Sequence, residues 1–203
     1  MSAFLGPIHH WLYNKIQIQG SIVEGILRLN EKEDLLSLNL RYLLDEKFGE
    51  SETRPLGEVI DESNIHGWLQ EQVSIVEYKL AEAVTMVLNQ NKDYYEKLET
   101  IFQQVGEEFA IEADLTLPEI YKEISDRLLD GMPCDRANSL VSENEDEVVW
   151  KREVCVHSEY WLRVGGNVRY YYQLRDTFMK GLLKNTGVEV EKRDEATYAL
   201  RRK

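Results

Sequence analysis

Cysteine is scarce in this chain: Cys134 and Cys155 are the two among 203 residues, too few for a disulfide scaffold. Long apolar runs are missing as well, since none reaches the roughly 18 residues that a helix needs to cross a bilayer. The opening Met1-Ser2-Ala3-Phe4-Leu5 lacks the basic start and apolar stretch of a secretory signal. The expectation is therefore a soluble, cytoplasmic protein with reduced thiols and no membrane partner. Positive charge is also short. With 24 Lys and Arg against 37 Asp and Glu, the formal net charge is −13 and the pI is near 4.8. Binding along a phosphate backbone needs a basic stripe, so nucleic acid is not expected as a partner, and the basic end Arg201-Arg202-Lys203 is too short to alter that. No GxSxG, HExxH or P-loop is present, which leaves hydrolase and kinase readings without support.

What the chain does have is length and helical periodicity. Its 203 residues can bury a real core and predict a single domain, with a helical part over 1–131 and an α+β part over 132–203 packed on it. Leu12, Ile16, Val23 and Ile26 recur at helical spacing behind Gly6-Pro7 and predict a first helix to about Leu29. Asn30 and Glu33 read as a capping box for a second helix, carrying Leu36, Leu40, Leu43 and Leu44 up to Phe48. A loop is expected from Gly49 to Pro55. A long third helix from near Ser63 places Leu69, Val73, Val76, Leu80, Ala83, Val84 and Val87 on one face, and a fourth begins near Asp93. Thr116 and Glu119 open a shorter fifth helix that stops at Gly131. The predicted fold class is α+β and mostly helical, an antiparallel bundle followed by a β-hairpin, a helix and a second short hairpin.

After Pro133 the pattern turns to alternation, and Val148 to His157 reads as a strand. If the hairpin reverses at Asn144-Glu145, Cys134 faces Cys155, and His157 shares a strand face with Cys155. Thiolates and an imidazole suit zinc or iron, so Cys134, Cys155 and His157 are candidate metal ligands. The alternative is two ordinary free cysteines at the ends of neighbouring strands.

Glu62 and His66 are four apart and, on a helix, project towards the side of Leu69 and Val73. Such a pair can ligate a metal inside a bundle, although Glu62 can equally serve as a helix N-terminal group. His9 and His10 open the first helix. In an up-down-up-down bundle the first and third helices start at the same end, so His9, His10 and His66 are expected neighbours, and a hairpin over that end completes one metal centre.

Aromatic residues give another possibility. Trp11, Tyr13, Trp68, Trp150, Tyr160, Trp161 and the run Tyr170-Tyr171-Tyr172 can line a pocket for a flat or apolar ligand, with Arg163 or Arg175 holding an acid group. Gly165-Gly166-Asn167 before a helix can offer backbone amides to an anion.

The C-terminal segment Phe178-Met179-Lys180-Gly181-Leu182-Leu183, then Thr186-Gly187-Val188-Glu189-Val190-Glu191 and Tyr198-Ala199-Leu200, resembles the closing helix and strand pair of the 4-vinyl-reductase type of small-ligand-binding domain. The resemblance covers about the last thirty residues. It implies a pocket between helices and sheet for an apolar or metal-linked ligand, often in a sensor module. The family's C-terminal cysteine segment has no counterpart here, because Arg193 to Tyr198 contains no cysteine, so no residue role is carried over. The functional expectation is a protein binding a transition metal or a metal-linked small ligand in a sensory, accessory or redox role. Competing classes are a cofactor-free interaction module and a metal-dependent enzyme with Glu62 or a nearby carboxylate as base. The long third helix can also support a homodimer.

Overall fold

The computed structural model describes residues 4–203; Met1, Ser2 and Ala3, part of the opening segment considered for a secretory signal, lie outside them. The protein is α+β and mostly helical, with a four-stranded antiparallel sheet in its C-terminal part. Two compact units interleave along the chain. Unit 1 runs up to Tyr95 and resumes over His157–Val168, and unit 2 comprises Glu96–Val156 and Arg169–Lys203.

Unit 1 is helical. Helix α1 (Pro7–Glu33) opens at the expected Gly6-Pro7, where proline needs no hydrogen-bond acceptor for an amide, and the Gly6 N–H donates to His9 Nδ1 at 2.9 Å. It runs past the expected Leu29 because Asn30 does not cap a second helix. From inside α1, the Asn30 side chain accepts from Leu36 N–H and donates to the Leu38 carbonyl, both at 3.0 Å, and so holds the loop between α1 and the next helix. Helix α2 (Leu40–Phe48) is capped instead by Asn39, and a single turn, α3 (Leu56–Val59), comes next.

Helix α4 (Ile65–Gln90) is capped by Asn64, whose side chain accepts from Gly67 N–H at 3.1 Å. Its predicted apolar stripe, Leu69 to Val87, is buried throughout. Each such leucine or valine contributes about 1.5–3 kcal/mol by leaving water. Helices α1 and α4 run parallel, His9 meeting His66 with ring centroids 5.4 Å apart and Gln19 reaching Glu77 at 2.9 Å. A short helix not expected from the sequence, α7 (Ser158–Arg163), packs on α4, with Trp161 fully buried.

Unit 2 joins α5 (Tyr95–Glu108, all but its first residue), α6 (Leu117–Ser125), α8 (Arg169–Leu182) and the sheet. The expected capping box at α6 is formed: Glu119 accepts from Thr116 N–H at 2.8 Å, and Thr116 Oγ1 accepts from Glu119 N–H at 3.4 Å. Strands β1 (Asn138–Glu143), β2 (Glu147–Arg152), β3 (Val188–Lys192) and β4 (Thr197–Arg202) form one sheet in the order β1-β2-β4-β3. The two predicted hairpins are therefore joined through β2 and β4.

One sheet face carries Val148, Trp150, Tyr198 and Leu200, all buried, and takes helices α6 and α8. The other carries Glu147 and its Cα partner Arg201, ion-paired at 2.5 Å. Alternation places Arg152 and Asn138, paired across β1 and β2, on the inward face with Trp150.

Candidate functional site

Arg175 lies on the inward stripe of α8, four residues after Tyr171 and three after Tyr172, and is 2% exposed. Its Nη1 donates to Asp130 Oδ1 at 2.9 Å, and Asn138 Nδ2 donates to the other oxygen of that carboxylate at 2.8 Å. Burial works against the charge on Arg175, but the carboxylate of Asp130 and the neighbouring Tyr171, Tyr198 and Tyr172 together hold the pKa above the usual arginine value. The other side of the guanidinium is different: Nε and Nη2 are buried and have no hydrogen-bond partner among the described residues. These two atoms form the side-on fork by which arginine takes a carboxylate with two parallel bonds. Leaving a buried donor unsatisfied costs about 1–3 kcal/mol, so such a fork calls for an acceptor.

The surroundings are aromatic and cationic. Arg152, at the end of β2, lays its guanidinium 3.7 Å from the centre of the Tyr172 ring, and its Nη2 donates to the Glu195 carbonyl at 3.0 Å. Its Nη1 is buried without a hydrogen-bond partner among the described residues. Arg175 stands 5.3 Å from the same ring and 5.7 Å from the ring of Tyr198. Tyr198 stacks on Trp150 at 5.4 Å, and Trp150 meets Tyr121 of α6 at 5.3 Å. Burial raises the Tyr172 pKa, which keeps the hydroxyl protonated, and it donates to Cys155 Sγ at 3.2 Å. Asp176 is raised by burial and pairs with Lys192 at 3.4 Å. The arrangement sets the buried donors of Arg175 beside the rings of Tyr172 and Tyr198.

Of the residues singled out in the sequence, Arg175, Trp150 and Tyr172 fall in this cluster and Cys155 borders it. The expected metal geometry at the hairpin is corrected by its register. The turn closes around Asn144, whose side chain accepts from the amides of Asp146 and Glu147 at 2.9 Å, and the ladder is irregular between Leu140 and Ser142. Near the open end Asn138 pairs with Arg152, one residue out of the register that sets Cys134 against Cys155. Strand β2 stops at Arg152, so neither cysteine is in a strand: Cys134 is exposed in the turn Pro133–Asp135, and Cys155 is half-buried beyond β2.

His157 belongs to unit 1. It is fully buried at the start of α7, with Nδ1 at 3.0 and 3.1 Å from the two oxygens of Glu77, which also accepts from Gln19. His9 and His66 are neighbours, as the parallel helices require, while His10 is exposed. Because His9 Nδ1 accepts from Gly6, its neutral ring carries the proton on Nε2, a donor and not a metal ligand. Glu62 is exposed in the turn before α4, so it does not share a helical face with His66. Among the described residues, no three His, Cys, Asp or Glu side chains group so as to hold a metal ion.

Trp11, Tyr13 and Trp68 are all in unit 1. Lys15 Nζ lies 3.5 Å over the Trp11 ring, while Tyr13 meets Trp68 at 5.9 Å and donates to the Arg54 carbonyl at 2.8 Å. Arg163 is exposed and paired with Glu159 at 2.5 Å. The amides of Gly165 and Gly166 donate to Leu162 and Trp161 carbonyls, so they are not offered to an anion.

Sequence reasoning missed Asp130, Asn138, Arg152 and Tyr198. Arg152 had a signal, since a charged residue two after Trp150 in a strand must share the inward face. Asp130 had none, being placed by the loop between α6 and the hairpin, while Asn138 is placed by its pairing with Arg152, a register that differs by one residue from the expected one. No protein family, curated protein or solved structure matches the chain.

Proposed function

We propose that this protein binds a small ligand in unit 2 and serves in a sensory or accessory role. The observation that supports this reading is the fork of Arg175: a guanidinium 2% exposed, held on one side by Asp130, with Nε and Nη2 lacking an acceptor among the described residues. A purely structural arginine gains most when all its donors are satisfied. Here the satisfied side fixes the group and the other remains a recognition element. Tyr172 offers a route for a response. Its ring lies beside Arg175 and its hydroxyl is bonded to Cys155, so a ligand at the fork alters the contact that holds the segment after β2.

Thermal denaturation in the presence of a varied panel of small organic molecules tests the reading. At least one chemical class should raise the Tm of the wild-type protein by several degrees and leave Arg175→Lys unchanged, because lysine keeps the charge towards Asp130 but has no fork. A panel that shifts neither protein, or both equally, counts against the assignment.

A further inference from the structure

We infer that the ligand of unit 2 is a flat monocarboxylic acid, its carboxylate taken side-on by Arg175 and its body laid against the rings of Tyr172 and Tyr198. This rests on the small-ligand reading proposed for unit 2 and gives it a chemical class.

Three independent features lead to that class. The first is shape: Nε and Nη2 lie in one plane and point the same way, matching the two oxygens of a carboxylate. The second is charge. Two guanidinium groups, Arg175 and Arg152, lie against the one Tyr172 ring, and Asp130 is the carboxylate bonded to Arg175. Asp176 is paired with Lys192. The cluster thus carries one positive charge beyond its local carboxylates, which a monoanion offsets and a phosphate dianion exceeds. The third is surface. The rings of Tyr172 and Tyr198 stand 5.3 and 5.7 Å from the Arg175 guanidinium, with Trp150 stacked on Tyr198, surroundings that favour a planar apolar body over a hydrated sugar or polyol.

The place of Arg152 sharpens the inference. It is less buried than Arg175, and its buried Nη1 has no hydrogen-bond partner among the described residues while its Nη2 is tied to the backbone at Glu195. This makes it a second donor at the margin of the same cluster, suited to steering an anion inward and contributing one further bond.

Calorimetric titration with benzoate and 2-naphthoate, their neutral amides and inorganic phosphate tests the proposal on the full chain. The acids should bind wild-type protein at least ten-fold more tightly than the amides and more tightly than phosphate. Arg175→Lys should remove most of that preference, and Arg152→Gln, whose site is nearer the surface, should weaken the acids several-fold while circular dichroism shows an unchanged fold. If Arg175→Lys does not fold, the acid-to-amide ratio in wild-type protein and in Arg152→Gln still decides. Equal affinity for acid and amide overturns the carboxylic-acid class and leaves small-ligand binding standing. Phosphate binding tighter than the acids overturns the monocarboxylate assignment. No binding by any of the compounds overturns both.

Discussion

Glu77 shows what a charged residue needs in order to occupy a helix's apolar stripe. It falls in phase with Val73, Val76 and Leu80, is 1% exposed, and is accommodated because Gln19 and His157 both hydrogen-bond its carboxyl group. That phase was visible in the sequence, but the partners were not, since they lie 58 and 80 residues away along the chain. His9 is the complementary case, buried in its neutral form. Burial first, then the charges of His66 and His10, hold its pKa below the ordinary 6.5. The unfolded chain therefore takes up a proton at higher pH than the folded one. Stability from His9 is whole above about pH 6.5 and is lost as the pH falls through that value towards the lowered folded pKa. Urea denaturation at pH 7.5 and pH 5.5 should show a smaller drop in His9→Gln than in the wild type; equal drops would sink the assignment.

Helices α5 and α8 cross at a point where their backbones touch. A Cβ on Gly106 would collide with the Phe178 carbonyl, and one on Gly181 with the Gln103 carbonyl and, at 2.9 Å, the Glu107 amide nitrogen. No flexible side chain is there to yield. Gly181→Ala should therefore lower stability by about 3 kcal/mol in chemical denaturation, although alanine is the better helix former. A neutral or stabilising result would mean that the helices are not this close.

Elements were legible in the sequence where local chemistry decides them: Gly6-Pro7 at α1, Thr116 and Glu119 at α6, and the apolar stripe of α4. They were misread where a longer-range bond wins. Asn30 looks like a cap for a second helix, yet it is used from inside α1 to hold Leu36 and Leu38. The strand that alternation carried to His157 stops at Arg152, because Glu77 and α4 give His157 a buried place in unit 1. The hairpin register moved by one residue because the turn and the irregularity near Val141, not the alternation, set the pairing.

At the scale of the whole molecule, the change of texture at Pro133 marks where strands begin, while the compact units follow a different division and each uses two stretches of chain. Among the described residues no helix is long and apolar enough to cross a membrane. The net charge of −13 is carried outside the cluster around Arg175, which locally has the opposite balance. That local inversion within an acidic protein is the feature composition could not reveal, because it depends on which few arginines the fold brings inward. The most direct measurement is a crystal structure of the protein soaked with 2-naphthoate. The account predicts the carboxylate oxygens within hydrogen-bond distance of Arg175 Nε and Nη2, with the ring system against Tyr172 and Tyr198. Naphthoate bound elsewhere, with the fork of Arg175 closed by another protein group, would contradict it.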